Sequence, residues 1–461
     1  MIERLAAVPE RHPGRTLAAI GLLFALAYGT SLVFFPKGRV VVGDAVHYYV
    51  YLRSAVFDGD LQFRNDYMGL YGITEKTNGS AWIFDPLPTG YIRNLMPIGP
   101  AIVWAPLYLL VTGALAVLRW CGLDYTLDGF GRVFQASAGF SGIIAATLGA
   151  WLAYGAALQL FSRRHAILAT LAIWLGASPL YYSVVSPTYS HAISMLANGA
   201  VVLYWIGTRD ESGLRRFAWL GTLIGFAALV RWQEATLFAL PVIDALWLAQ
   251  RVGSLPGVPS RVTAVRDCAL RISAASVGAV LVFLPQVLVW QILYGRPFLI
   301  PQGGQFMRWT DAALGAVLFS DWHGLFTWTP IVALSVIGLF PLWRRDRHVA
   351  AGVIVVLAAA WYTNAAAADW WAGEAFGARR FVSCMPLFVI GFAAFADRWT
   401  SLRALVYIGA VAIVLNGLLL FQYQMFLKGW RDLSPYPRGA FGLACARFVV
   451  PLRMLGHWLG Y

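Results

Sequence analysis

Runs of about twenty apolar residues recur along this chain, the length a helix needs to cross about 30 Å of hydrocarbon. About eleven can be marked by this criterion, near 16–35, 99–118, 133–160, 166–185, 190–207, 217–248, 272–293, 325–342, 349–367, 381–396 and 404–426. The run at 217–248 is long enough to enter and return as a hairpin. A mean hydropathy of +0.65, with 59% hydrophobic and 12% charged residues, excludes an ordinary soluble protein. The expected fold is an all-α polytopic membrane bundle of about eleven spans, with residues 1–461 forming a single integral domain.

The net charge of +13 does not point to nucleic acid, because the positives sit in short clusters between spans. These are Arg163-Arg164, Arg215-Arg216, the arginines from Arg251 to Arg271, and Arg344-Arg345 with Arg347. Such clusters mark cytoplasmic loops. Placing them inside puts 36–98, 294–324, 368–380 and about the last 30 residues outside. The count of crossings fails once. An outer first loop and an inner Arg163-Arg164 need an odd number of crossings, yet 99–118 and 133–160 supply two, so one of them must be partial or double. The stretch 252–262 is the turn-rich linker. Arg4, Arg11 and Arg15 precede the first apolar run with no small-residue cleavage site after it, so a retained first span is expected. The four cysteines are scattered, without CxxC or metal-ligand spacing, and read as small packing residues.

Against this background the loop 36–98 stands out, because short loops suffice to join spans. It carries Asp44, Asp58, Asp60, Asp66 and Asp85 together with many aromatic residues. Gly43-Asp44 can cap a helix in which Val46, Tyr49, Val50 and Phe57 recur on one face. A helix so rich in tyrosine, and carrying Arg53, is expected to lie in the membrane interface rather than cross it. The loop leaves through Arg93-Asn94-Leu95-Met96-Pro97-Ile98-Gly99-Pro100, where prolines fix how it meets the next span.

In order and spacing these features resemble the GT-C superfamily of membrane glycosyltransferases, in the branch of protein O-mannosyltransferases and the lipid A aminoarabinose transferase. That family has a carboxylate just after the first span, an interfacial helix, a Gly-Asp turn and a proline-rich entry to the second span. Asp44, the helix 45–57, Gly59-Asp60-Leu61 and Pro97 to Tyr108 match in that order. Ala228-Leu229-Val230-Arg231 resembles the family's arginine at the tip of an apolar hairpin. The likeness is looser beyond about residue 250. The family's common acidic pair reads Asp44-Ala45 here, and its acidic-basic pair before the prolines reads Leu95-Met96.

The resemblance implies an enzyme that moves a sugar from a polyprenyl-phosphate donor to a hydroxyl on a glycolipid, polysaccharide or protein. It further implies inversion at the anomeric centre and a site on the outer face of a bacterial inner membrane. Such a reaction needs a base for the acceptor hydroxyl and cations for the leaving phosphate. Asp44 is the first candidate base and Asp66 the second. Arg93, Arg231, Arg379 and Arg380 are the candidate phosphate ligands, since guanidinium forks match phosphate oxygens.

His191, His323, Trp371 and Glu374 are candidates to line the substrate. His191 also reads as a satisfied polar group in the bundle, the tryptophans as an interfacial belt, and Arg231 with Glu234 as a simple pair. A divalent metal is compatible with the chemistry, but no ligand motif indicates one. The rival readings are a transporter or flippase of lipid-linked sugars, a lipid-linked glycan polymerase or ligase, and a non-catalytic membrane partner. A transporter should carry broken helices in matching halves and charges at mid-membrane; here the charges gather in the outer loops.

Overall fold

The computed structural model describes residues 9–34, 40–72, 83–253, 261–436 and 439–459. Most of the turn-rich stretch 252–262 lies outside the described residues. Those residues form helices, with two isolated antiparallel bridges and no named strand among them. Seven helices are long and apolar enough to cross a membrane, so the chain is an all-α integral membrane protein.

The helices that matter below are α1 (Pro13–Phe34), α2 (Asp44–Arg53), α3 (Arg64–Tyr71), α4 (Gly99–Trp120), α5 (Arg132–Leu158), α6 (Arg163–Gly176), α7 (Ser190–Gly207) and α8 (Leu214–Val230). They are followed by α9 (Ala239–Gly253), α10 (Arg261–Tyr294), α11 (Ile331–Ile337), α12 (Leu339–Arg345), α13 (Arg347–Ala366), α14 (Met385–Trp399), α15 (Leu402–Leu427) and α16 (Gly439–Leu459). Of the eleven or so expected runs, seven appear as helices of spanning length and hydropathy among the described residues, with shifted ends; the run 166–185 is broken after Gly176. The apolar run 325–342 is divided at Gly338, where a Cβ would collide with the Gly391 carbonyl. The C-terminal helix α16 was not anticipated, since the last residues read only as an outer tail.

Polar contacts identify the two ends of the bundle. At one end Arg164 pairs with Glu10 at 2.6 Å, Arg345 with Asp397 at 2.9 Å, and Arg216 with Asp244 at 2.5 Å. The basic clusters therefore gather at a single end, as the charge pattern predicted. At the other end Arg132 donates to the Leu32 carbonyl at 3.2 Å, and Tyr294 to the Asn94 carbonyl at 2.7 Å.

These contacts answer the crossing problem. Arg53 Nε donates to the Asp128 carbonyl at 2.9 Å, and the Tyr49 hydroxyl to the Gly129 carbonyl at 2.6 Å. The chain thus leaves α2 and α3, runs through α4, and is back beside α2 before α5 begins. The segment 99–120 is the partial one, despite its span-like length. The hairpin over 217–248 is present: α8 rises to a break at Arg231 and α9 returns, so that Arg216 and Asp244 meet at the basic end.

Without a hydrophobic drive between helices in lipid, association depends on close backbone approach. Small residues supply it. A Cβ at Gly221 or Gly225 of α8 would strike the backbone at Ala275 or Ala279 of α10, and one at Gly278 would strike the Ala218 carbonyl. Between α5 and α7, Gly149 packs on Met195 and Leu196, while Gly142 abuts the Pro187 carbonyl. These two tight pairs set the frame on which the polar end is built.

Candidate functional site

Helix α2 is too short to cross a membrane and is enclosed by the protein: every residue from Ala45 to Arg53 is buried, so no face of it is left exposed as an amphipathic surface helix would leave one. Burial of so many tyrosines is possible because their hydroxyls are satisfied. Tyr48 bonds Ser190 Oγ at 2.9 Å, Tyr49 the Gly129 carbonyl, and Tyr51 the Met96 carbonyl at 3.1 Å. Asp44 is not a cap either. The N-cap is Gly43, with φ of 56° and no side-chain cap bond. That left-handed backbone suits glycine, and a Cβ there would also meet the Tyr189 hydroxyl at 2.5 Å. Asp44 is thereby freed from helix capping and turned outward.

Outward from Asp44 lies a cavity of about 560 Å³. Six chain segments converge on it: the start of α2, the Leu95-Met96-Pro97 entry to α4, the α8–α9 break, the loop after α10, the end of α13, and the residues before α14. The loop after α10 is held on both sides. Gln302 donates to the Leu95 carbonyl at 3.1 Å, and Met307 bridges Ala367 through backbone bonds on either side. Its Ile300, Phe306, Met307 and Trp309 give the cavity an apolar wall.

The facing wall is charged. Arg379 Nη1 lies 2.7 Å from Asp44 Oδ2, and the Asp44 side chain keeps 29% of its surface exposed. The Arg379 guanidinium also rests 5.7 Å from the Tyr189 ring centroid. Arg380 bonds the Asp369 carboxylate at 2.6 Å and its carbonyl at 3.0 Å. Arg231 sits at the extended-backbone break, φ −151°, and its Nη1 meets Ser190 Oγ at 3.2 Å and His191 Nδ1 at 3.0 Å. Three guanidiniums and two carboxylates therefore line the cavity. Behind them, Glu234 stands 3.7 Å from Arg231 and accepts from Asn198 at 2.7 Å.

The sequence candidates divide accordingly. Asp44, Arg231, Arg379 and Arg380 come together on the cavity wall. His191 stands behind Arg231, its ring held against Tyr182 and Tyr189; to accept from a guanidinium it must be neutral there. Arg93 does not line the cavity. Its carbonyl accepts from Tyr67.

Asp66 is elsewhere, wholly buried and 3.2 Å from Arg53, which also pairs with Asp58. Burial pushes its carboxyl up to about 7, against the pull of Arg53. His323, Trp371 and Glu374 also lie off the cavity. His323 is locked between the Trp371 carbonyl and the Tyr436 hydroxyl, both at 2.7 Å, and burial lowers its pKa to about 4.

The residues missed are Asp369, Tyr48, Gln233, Asn364 and the 300–309 loop, all on the wall. Asp369 had a readable signal, as the acid that opens the aromatic, arginine-bearing segment 369–380. Asn364 had none, since it reads as the tail of an apolar span. Among the described residues no group of three or more His, Cys, Asp or Glu is placed to hold a metal.

No family model matches this chain, and no curated protein does. Among solved structures, the chain resembles the archaeal oligosaccharyltransferase AglB from Archaeoglobus fulgidus in complex with an inhibitory peptide and a dolichol-phosphate. The identity is 12%, covering 96% of this chain and 55% of that one, with a TM-score of 0.44. The same oligosaccharyltransferase tethered to an acceptor peptide matches at 11% identity, covering 97% and 54%, TM-score 0.44. Its apo form matches at 12%, covering 96% and 54%, TM-score 0.44. This chain thus spans about half the length of those chains. At this identity and TM-score the likeness says nothing of substrate or reaction.

Proposed function

We propose that this protein is a GT-C-type glycosyltransferase that moves a sugar from a polyprenyl-phosphate donor to an acceptor hydroxyl, inverting the anomeric centre. The observation that carries the proposal is the Asp44–Arg379 pair on the wall of an open cavity beside Arg231 and Arg380. Asp44 is the base that takes the acceptor proton. Arg379 is its positioning partner and, with Arg380 and Arg231, meets the charge that develops on the departing phosphate. The acceptor oxygen forms the new glycosidic bond as the sugar–phosphate bond breaks, and the phosphate leaves with the electron pair. The apolar wall from Ile300 to Trp309 suits the first isoprene units of such a donor. Placing the basic end in the cytoplasm by the positive-inside rule puts the cavity at the outer face of the membrane. The sugar acceptor is a glycolipid, polysaccharide or protein.

Asp44→Asn tests the assignment. It keeps size and removes the base, so sugar transfer from a polyprenyl-phosphate donor should fall on the order of 10²-fold or more. Turnover is expressed per folded molecule and the thermal midpoint measured alongside, since Asn keeps an oxygen that accepts from Arg379 Nη1 but not the charge. Turnover near the wild-type rate would sink the role of Asp44.

A further inference from the structure

A second opening lies on a different part of the bundle and shares no lining residue with the cavity above. It is a groove of about 450 Å³ between α6, α11 and α15, walled by Ile331, Leu334, Ile408, Val411 and Leu415, with Trp328 and Arg447 also on its lining. Val411 and Tyr407 are 56% and 55% exposed, so this wall faces whatever surrounds the bundle, which for α15 is lipid.

Arg447 is out of place in such a groove. It comes from α16, is only 3% exposed, and has no carboxylate within ion-pair distance among the described residues. Its Nη2 donates to the Thr327 and Trp328 carbonyls at 3.1 and 3.2 Å, while its Nε is buried without an acceptor. On the same lining, Asn416 is 2% exposed and its Oδ1 has no donor. A cation buried without an anion is costly, and two carbonyls compensate it only in part.

We infer that this groove binds one anionic membrane phospholipid, with its phosphate on Arg447 and a hydrocarbon chain along the apolar wall. The bundle is immersed in such molecules, and they combine the two chemistries the groove lacks. The phosphate supplies the missing anion and an acceptor for Nε, and the chain covers the exposed wall. A hydroxylated head can also donate to Asn416. Trp328, which shares this lining, is packed edge-on against His323 and Phe376. Occupancy would therefore brace the segments 321–328 and 369–380, the second of which carries Asp369, Arg379 and Arg380. The inference needs only a membrane-embedded bundle and stands whether or not the chain transfers sugar.

The test is thermal unfolding of the purified full chain with added phosphatidylglycerol, with phosphatidylcholine of the same chains, or with inorganic phosphate. Native mass spectrometry reports retained lipid. Phosphatidylglycerol should raise the midpoint by a few degrees and remain bound, with little effect from the other two. Arg447→Met keeps bulk and removes charge, and should abolish the preference for phosphatidylglycerol. Should that variant not fold, Val411→Trp fills the groove from the lipid side without touching Arg447, and should abolish the same shift. An equal shift from phosphatidylcholine, an equal shift from inorganic phosphate, or a full phosphatidylglycerol shift in either folded variant overturns the inference.

Discussion

The segment 40–72 supplies carboxylates to two arginine clusters of opposite character. In one, Arg53 is clasped by Asp58 and Asp66, capped by the Phe130 ring at 4.1 Å, and anchored to the Asp128 carbonyl. In the other, Arg379 meets Asp44, and Arg380 meets Asp369, along an open wall. Residue types and distances are alike in both. The difference is unfilled space: the first cluster closes on itself, whereas the second leaves its charged edges turned to a volume that can admit a ligand. Carboxylate count in a loop therefore does not distinguish the two; the open side of the Asp44–Arg379 pair does.

Three further variants put that contrast under strain. The largest expected effect is on activity. Arg379→Gln removes the partner of Asp44 and, on the proposed function, a phosphate ligand, so turnover should drop by roughly 10² to 10³, read as sugar transfer per folded molecule. Loss of less than about threefold would place Arg379 with the structural arginines.

Arg53→Met should do the reverse. It strands Asp58 and Asp66 without their cation, and breaking a buried pair costs about 3–5 kcal/mol, seen as a lower thermal midpoint. Turnover per folded molecule should stay within a few-fold of wild type.

The smallest effect is on pH dependence. Burial lowers His47 from 6.5 to about 4, so the stability from keeping it neutral is full above about 6.5 and is lost as pH falls toward 4. Asp66 has the opposite sign: raised from 3.8 to about 7, its contribution is full below 3.8 and is lost as pH rises through 7. His47→Gln should therefore hold its thermal midpoint better than wild type between pH 6.5 and 4. An unchanged profile would mean that His47 is already hydrated in the folded protein.

The spans were legible because lipid demands long apolar runs, and the basic end because arginine clusters fall between them. The hairpin tip at Arg231 was legible for the same reason, as a polar group interrupting an apolar run. What escaped was anything decided by which way a segment turns. Asp369 and Glu374 are five residues apart in one segment, yet only Asp369 lines the cavity, because its backbone is pinned through the Met307–Ala367 bridge. Asp66 stood second to Asp44 as a candidate base, and nothing in the sequence showed that α3 turns it under Arg53. The tyrosines of α2 suggested an interface helix, since their affinity for one cannot be told from affinity for a buried slot lined with acceptors. Arg447 was invisible because the last residues read only as an outer tail, in which an arginine is unremarkable.

The return of α4 to its starting end bears on how the chain is made. Residues 99–120 are apolar enough to be taken for a crossing by any machinery that reads hydrophobicity alone, yet their flanks, Ile98 and Asp128, finish at the same end. A reporter inserted after residue 122 of the otherwise intact chain should therefore register the same side of the membrane as one inserted at residue 60, and the opposite side from one inserted at 162. The bonds from Tyr49 and Arg53 to residues 128–129 hold the chain at that end, so a chain truncated near residue 122 should leave α4 spanning the membrane in the wrong sense.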